Sequence, residues 1–103
     1  MKTQMQPLTI CGKILHIGNV TQGENWNKSE FLIVTSEQYP KEILIHVWND
    51  KIEQLARCQV DDFIIARVNI SSKKNQEKYY TEVTAWKIEI DFNTMRKEVT
   101  NEN

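Results

Sequence analysis

Apolar residues between Trp26 and Leu55 alternate with their neighbours along two segments that are separated by a polar turn. A period of two with β-branched residues is typical of strands. We therefore predict one strand at residues 29–36 and another at residues 41–48, joined by a turn at Pro40. Both faces of both strands carry apolar groups, so one face is predicted to be core and the other to be covered or used for binding. That second face carries Leu32, Val34, Leu44, His46 and Trp48.

Over the whole chain, the same kind of pattern predicts five strands and one short helix. The strands are expected at residues 9–20, 29–36, 41–48, 62–72 and 79–90. A helix is expected at residues 50–57, with Asn49 or Asp50 as its N-cap, because apolar residues there recur at helical spacing. Residues 71–78, SSKKNQEK, lack apolar alternation and are predicted to form a basic hairpin loop.

Two of the predicted strands do not keep a single apolar face. In the first strand, Leu15 and Ile17 indicate a change of face, and in the last strand both sides carry bulky residues, which indicates a bulge or a buried edge. The residues expected in the core are Ile14, Phe31, Ile33, Ile43, Ile45, Val47, Leu55, Ile64, Val68 and Val83.

The predicted order is β-β-β-α-β-β, which is that of the OB-fold, a five-stranded Greek-key barrel. An SH3-like barrel normally lacks a helix between its third and fourth strands, and a ferredoxin-like fold needs two crossover helices. We therefore predict an all-β domain with one short helix over residues 1–90. Residues 91–103 are polar and are predicted to be a flexible tail.

Composition limits the classes of protein that the chain can belong to. It has 103 residues, 40% of them hydrophobic, and a net charge of −1, so nucleic-acid binding would depend on local patches and not on a basic surface. We predict a cytoplasmic protein, because no apolar run could span a membrane and the N-terminal residues carry no long apolar signal segment. Cys11 and Cys58 are predicted to be reduced and to act as small apolar fillers.

Four short blocks carry a resemblance to a known family: WNKSEF from Trp26, QYPK from Gln38, WNDKI from Trp48 and YTEVTAW from Tyr80. In this order the blocks resemble a family of short bacterial and phage proteins of uncharacterised function with an expected OB-fold, over about residues 9–90. The layout is also similar to that of bacterial single-stranded DNA-binding proteins. In those proteins an aromatic residue before the short helix stacks on a base, and Trp48 occupies the corresponding position here.

Aromatic and basic residues recur where an OB-fold binds its ligands, on the face of the second and third strands and in the neighbouring loops. Aromatic rings can stack on bases while lysines contact phosphates. The alternative is that the rings pack and the lysines are simply solvated. The candidate residues for nucleic-acid binding are Trp26, Lys28, Tyr39, Lys41, His46, Trp48, Lys51, Lys73, Lys74, Lys78 and Tyr79.

Features typical of enzymes and metalloproteins are lacking in the sequence. His16 and His46 have no second ligand at a metal-binding spacing, and there is no glycine-rich phosphate loop or nucleophile motif. We therefore expect no catalysis, no metal and no cofactor. The expected function is weak, sequence-tolerant binding of single-stranded DNA or RNA by a homo-oligomer. The alternative is an interaction or assembly module that uses the apolar outer face of the second and third strands as a subunit interface.

Overall fold

A computed structural model describes residues 8–94 of the protein. Its elements are β1 (Leu8–Ile17), β2 (Thr21–Gln22), β3 (Asn27–Thr35), β4 (Glu42–Trp48), a 3₁₀ turn (Asn49–Lys51), α1 (Ile52–Ala56), β5 (Phe63–Asn75) and β6 (Lys78–Ile90). The second to fifth predicted strands correspond to β3, β4, β5 and β6. The first predicted strand ends at Ile17 instead of residue 20. The sequence did not predict β2, because its two residues are polar and pair only with the start of β3.

The strand pairings close a ring. β1 pairs antiparallel with both β3 and β5, β5 pairs with β6, and β3 pairs with β4. The ring is closed by a parallel pairing of β4 with β6 at His46 and Thr84. This five-stranded barrel with a short helix between β4 and β5 confirms the predicted OB-fold.

The barrel interior holds one apolar cluster, because alternate residues of each strand point inward. Eight of the ten residues predicted for the core are buried, and the other two, Ile43 and Val83, are partly buried and pack against the cluster. The cluster also contains Ala66, Ala85 and Ile88, with Cys58 from the turn after α1. Cys58 therefore fills space as predicted, whereas the same prediction was wrong for Cys11, which is exposed.

Bulges explain why the first and last predicted strands change face. The pairing of β1 with β3 shifts between Ile14 and His16, and the pairing of β5 with β6 shifts next to Ala85, where Trp86 has no partner. A bulge inserts one residue and reverses which side chains point inward beyond it. As a result Ala85 and Ile88 are both buried although they are three residues apart. The two features anticipated from the sequence are thus present.

The helix begins without the predicted side-chain cap. Neither the 3₁₀ turn nor α1 has a side-chain hydrogen bond at its N-terminus. Asn49 instead adopts a left-handed conformation with φ of 52°, and its Oδ1 accepts a hydrogen bond of 3.0 Å from the backbone N–H of Asn27. Asparagine tolerates this conformation better than most residues. The side chain that was expected to cap the helix therefore ties the end of β4 to the start of β3.

The prediction of a basic loop at residues 71–78 was wrong. β5 and β6 remain paired up to Asn75 and Lys78 and leave only a tight turn, in which Gln76 has a φ of 58°. Backbone pairing continues through this polar segment, and the hydroxyls of Ser72 and Thr81 lie 2.9 Å apart across the strands. The paired segments 70–75 and 78–83 form an extension of the sheet that we call the ribbon.

Candidate functional site

The outer surface of β3 and β4 carries Trp48 at one end. Leu32, Val34 and Leu44 lie towards the other end, which we call the apolar end. In the strand register Lys28 lies opposite Trp48, Glu30 opposite His46, Leu32 opposite Leu44, and Val34 opposite Glu42. Residues between these positions point into the core, so these pairs share the outer face. Leu44 is exposed, whereas Leu32 and Val34 are half-buried, which corrects the expectation that all three would be exposed. We call the surface around Trp48 the aromatic end of this face.

Two indole rings and an ammonium group meet at the aromatic end. The ring centroids of Trp26 and Trp48 are 5.7 Å apart with an angle of 60° between the planes. The Lys28 Nζ lies 4.9 Å from the centroid of Trp48, within the range of a cation–π interaction. Trp48 is half-buried, whereas Trp26 is 41% exposed. Trp26 therefore offers the more accessible aromatic surface of the pair.

Gly23 determines where Trp26 can lie. The backbone N–H of Gly23 donates a hydrogen bond of 2.7 Å to the carbonyl oxygen of Trp26, which closes a tight loop. A Cβ atom at position 23 would overlap the Trp26 indole ring itself. The lack of a side chain at Gly23 therefore lets the indole fold back over the loop and reach Trp48.

Glu82 on β6 contacts two members of this cluster. Its Oε2 accepts hydrogen bonds of 3.1 Å from the Trp48 indole Nε1 and of 3.1 Å from the Thr84 hydroxyl. Its Oε1 lies 3.8 Å from the Lys28 Nζ. Glu82 therefore contacts both Trp48 and Lys28, two of the predicted binding residues.

The surroundings of Glu82 favour its charged form. Partial burial alone would raise the pKa of its carboxyl group. The hydrogen bond donated by Trp48, the nearby His46 and the hydrogen bond donated by Thr84 act in the opposite direction. Together with the positive charge of Lys28, they hold the pKa of Glu82 below its ordinary value. At neutral pH this carboxylate is therefore a permanent negative charge on the outer face.

His46 lies between the aromatic and apolar ends and is largely covered. Its side chain is 15% exposed, and its Nδ1 lies 3.8 Å from the Glu30 Oε1. That distance is longer than a hydrogen bond, and the buried Nδ1 has no hydrogen-bond partner among the described residues. His46 therefore offers little accessible ring surface to a ligand.

Tyr39 and Lys41 lie in the turn between β3 and β4. The Tyr39 side chain is 74% exposed. The Lys41 Nζ forms an ion pair of 3.0 Å with Glu37, and hydrogen bonds from Thr35 and Lys41 lower the pKa of Glu37. Lys41 is thus engaged within its own turn, while Tyr39 is free to contact a ligand.

The ribbon distributes its lysines and tyrosines over two faces. Lys73 lies opposite Tyr80, and Lys78 shares their face; this is also the face of Glu82. Lys74 lies opposite Tyr79 on the reverse face, with its Nζ 5.9 Å from the tyrosine ring. The predicted residues Lys73 and Lys78 therefore point to the side of the aromatic end, and Lys74 and Tyr79 do not.

Lys51, another predicted site residue, also lies away from the aromatic end. It lines a cleft of about 560 Å³ beside α1, together with Arg57 and Trp86. Within residues 8–94, no group of three or more His, Cys, Asp and Glu side chains is placed to hold a metal ion. In the same range no helix is long and apolar enough to cross a membrane.

Tyr80, Glu82 and Thr84 belong to the outer face but were not among the predicted site residues. Their alternation along β6 is visible in the sequence. The bulge at Trp86 obscures which side of the strand these residues share, because apolar residues around the bulge occupy both odd and even positions. Tyr80 is 57% exposed and lies on this face, whereas the predicted residue Tyr79 lies on the reverse face.

Residues 9–89 match the model of the family described as Domain of unknown function (DUF3127). The chain belongs to this family. This confirms the family expected from the four sequence blocks. No curated protein matches the sequence significantly.

Solved structures with the same fold include single-stranded DNA-binding proteins. The second single-stranded DNA-binding protein (SSBb) of Mycobacterium smegmatis superimposes with a TM-score of 0.68 at 12% identity, covering 87% of this chain and 90% of its own. The SSB domain of a Synechococcus protein gives 0.67 at 12% identity, with coverage of 85% and 98%. The dimeric N-terminal domain of PriB from Thermoanaerobacter tencongensis gives 0.63 at 12% identity, with coverage of 82% and 94%. At this identity the similarity establishes the fold.

Proposed function

We propose that the protein binds single-stranded DNA or RNA with little sequence preference, through the outer face of β3, β4 and β6. The observation that carries this proposal is the cluster of Trp26, Trp48 and Lys28 at the aromatic end of that face. Stacking on an aromatic ring tolerates any base, because every base has a π-face. The similar structures include proteins described as binding single-stranded DNA, which supports the same use of this fold.

We propose that a strand that continues past the tryptophans meets the lysines and the one aromatic ring of the ribbon face. Lys73, Lys78 and Tyr80 share the ribbon face directed towards the aromatic end. Lysines there would contact phosphates while Tyr80 supplies another stacking surface. With a net charge of −1, attraction at long range is weak, so we propose modest affinity that depends on stacking. The proposed function is binding without a chemical reaction.

The test measures fluorescence anisotropy of a labelled oligothymidylate at low salt, where electrostatic attraction is strongest. Trp26→Ala and Trp48→Ala are each expected to weaken binding by about 1–3 kcal/mol, because each removes a stacking surface. Trp86→Ala is the matched control, since Trp86 is also partly exposed but lies in the cleft beside α1. Absence of any anisotropy change with the wild-type protein would refute the proposal.

A second candidate function, assembly through the apolar end, is favoured by the exposure of Leu44. Its side chain is 44% exposed and lies opposite Leu32, next to Val34. At about 3.3 Å per residue, Leu44 lies roughly 13 Å along β4 from Trp48. The two ends can therefore serve different partners, and we propose that a second copy of the chain covers the apolar end.

A further inference from the structure

We infer that Glu82 is an affinity-limiting residue, whose carboxylate occupies the phosphate position in the unliganded protein. The inference rests on the proposed nucleic-acid binding. A carboxylate and a phosphate are both anions that accept hydrogen bonds and pair with lysine. Glu82 accepts from the Trp48 indole and pairs with Lys28, so it uses the two groups that would recognise a strand.

The contacts of Glu82 hold the carboxylate firmly in this place. Thr84 donates a further hydrogen bond to the same oxygen that accepts from Trp48. The side chains of Lys28 and Glu82 are only 28% and 32% exposed, so water and salt screen this pair less than a fully exposed one. Lys28 is therefore not a free cation when a nucleic acid arrives.

Lys28 also covers part of the aromatic surface while Glu82 holds it. Its Nζ lies 4.9 Å from the Trp48 ring centroid and 3.8 Å from Glu82. A phosphate that attracts Lys28 must compete with the carboxylate and is repelled by it, because like charges at short range destabilise each other. Glu82 thus lowers the affinity of the face for every polyanion and keeps Lys28 from contributing a full phosphate contact.

The test replaces Glu82 with glutamine, which has the same shape and keeps an oxygen that accepts from Trp48 and Thr84 but removes the charge. E82Q is expected to bind a labelled oligothymidylate about five- to tenfold more tightly at about 50 mM salt, which is the contribution of one phosphate contact. The log–log slope of affinity against salt should become steeper by about 0.7 for the same reason. Thermal unfolding of E82Q establishes that the variant is folded.

Glu89→Gln is the matched control, since Glu89 also lies on β6 and pairs with a lysine, Lys87, at 3.9 Å. The Glu89→Gln variant changes the net charge by the same amount but outside the aromatic end. Its affinity for the oligothymidylate should therefore stay close to that of the wild-type protein. A double-mutant cycle adds a second readout. Lys28→Gln should weaken binding by less than about threefold in the wild-type protein and by about five- to tenfold in E82Q, where Lys28 is released.

Each outcome decides one of the two proposals. If the wild-type protein binds but E82Q gains no more affinity than E89Q, or if Lys28→Gln has the same effect in both backgrounds, the role of Glu82 is refuted and the proposed function stands. If the wild-type protein does not bind at low salt, the proposed function itself fails and the role of Glu82 falls with it. A selective gain in E82Q together with the predicted cycle supports both.

Discussion

Two backbone positions determine where the tryptophans of the aromatic end lie. Asn49, with its left-handed φ, turns the chain immediately after Trp48 and binds the backbone of Asn27 through its side chain. Gly23 leaves room for the indole of Trp26 to fold back. Both residues therefore help to bring rings that are 22 residues apart along the chain to a centroid distance of 5.7 Å.

At the residue scale, the lowered pKa of Glu82 predicts a pH-dependent contribution to stability. A carboxyl group whose pKa is lower in the folded chain stabilises it above the ordinary value of about 4.3 and loses this effect as the pH falls through the folded pKa. The difference in unfolding free energy between the wild-type protein and E82Q should therefore be present near neutral pH and shrink below about pH 4.

Urea denaturation of both proteins near neutral pH and at about pH 3 measures this difference. Because Glu82 is partly exposed, solvent screens its interactions and the effect is expected to be modest. The same series with Glu89→Gln corrects for the loss of a surface carboxylate. If the difference in unfolding free energy between the wild-type protein and E82Q is equal at both pH values, the contacts described for the Glu82 carboxylate do not lower its pKa.

At the scale of elements, the ribbon adds two lysines, Lys73 and Lys78, to the outer face. An isolated two-stranded hairpin is marginally stable in water, so the ribbon depends on the barrel from which β5 and β6 extend. Because successive side chains of a strand point to opposite faces, Lys73 and Lys78 lie on one face of the ribbon and Lys74 lies on the other. Lysines that are close in sequence are therefore expected to differ in their contact with a bound strand.

Neutralising the lysines of each ribbon face tests this separation. Lys73→Gln together with Lys78→Gln should reduce the log–log salt slope of binding by about 0.7 for each lost phosphate contact. Lys74→Gln is the control within the same ribbon and should leave the slope almost unchanged. Anisotropy titrations over a range of salt concentrations measure both. A reduction of the slope by about 0.7 in Lys74→Gln as well would show that the strand contacts both faces of the ribbon.

The predictions of strands were wrong mainly where polar residues take part in the sheet. Alternating apolar residues located β3, β4 and most of the other long strands, because a half-buried strand requires that pattern. Residues 71–78 carry no such pattern, since both sides of the ribbon face solvent and pairing there depends on backbone hydrogen bonds. β2 was missed for the same reason. The bulges were visible because they interrupt an apolar face.

For the whole molecule, the apolar end of the outer face predicts self-association. Leu44, with Leu32 and Val34 beside it, forms an apolar surface that a second copy could cover. We expect the wild-type protein to sediment as a dimer or larger species at micromolar concentration. Leu44→Lys should shift it towards the monomer, because a buried unpaired ammonium group destabilises an interface.

Val60→Lys is the matched control for this experiment. Val60 is 48% exposed but lies in the turn between α1 and β5, away from the outer face of β3 and β4. Analytical ultracentrifugation of the three proteins separates a specific interface from general apolar association. A wild-type protein that remains monomeric at high micromolar concentration would contradict the assembly proposal and leave the apolar end open to another ligand.

The sequence by itself determined the class of fold and most of its core. Periodicity identified which residues point inward, and the order of strands and helix identified the OB-fold, because both depend on local spacing along the chain. The four sequence blocks identified the family. Trp26, Lys28 and Trp48 could also be selected from residue type and position in the expected fold.

Only the tertiary structure decided which of those residues meet. The approach of Trp26 to Trp48 depends on a loop closing over Gly23, and the approach of Glu82 to Lys28 depends on β6 lying beside β4 through one parallel pairing. The bulge at Trp86 decides which side of β6 faces this site. Such contacts join residues that are distant in the chain, and local periodicity carries no information about which strands become neighbours or in what register.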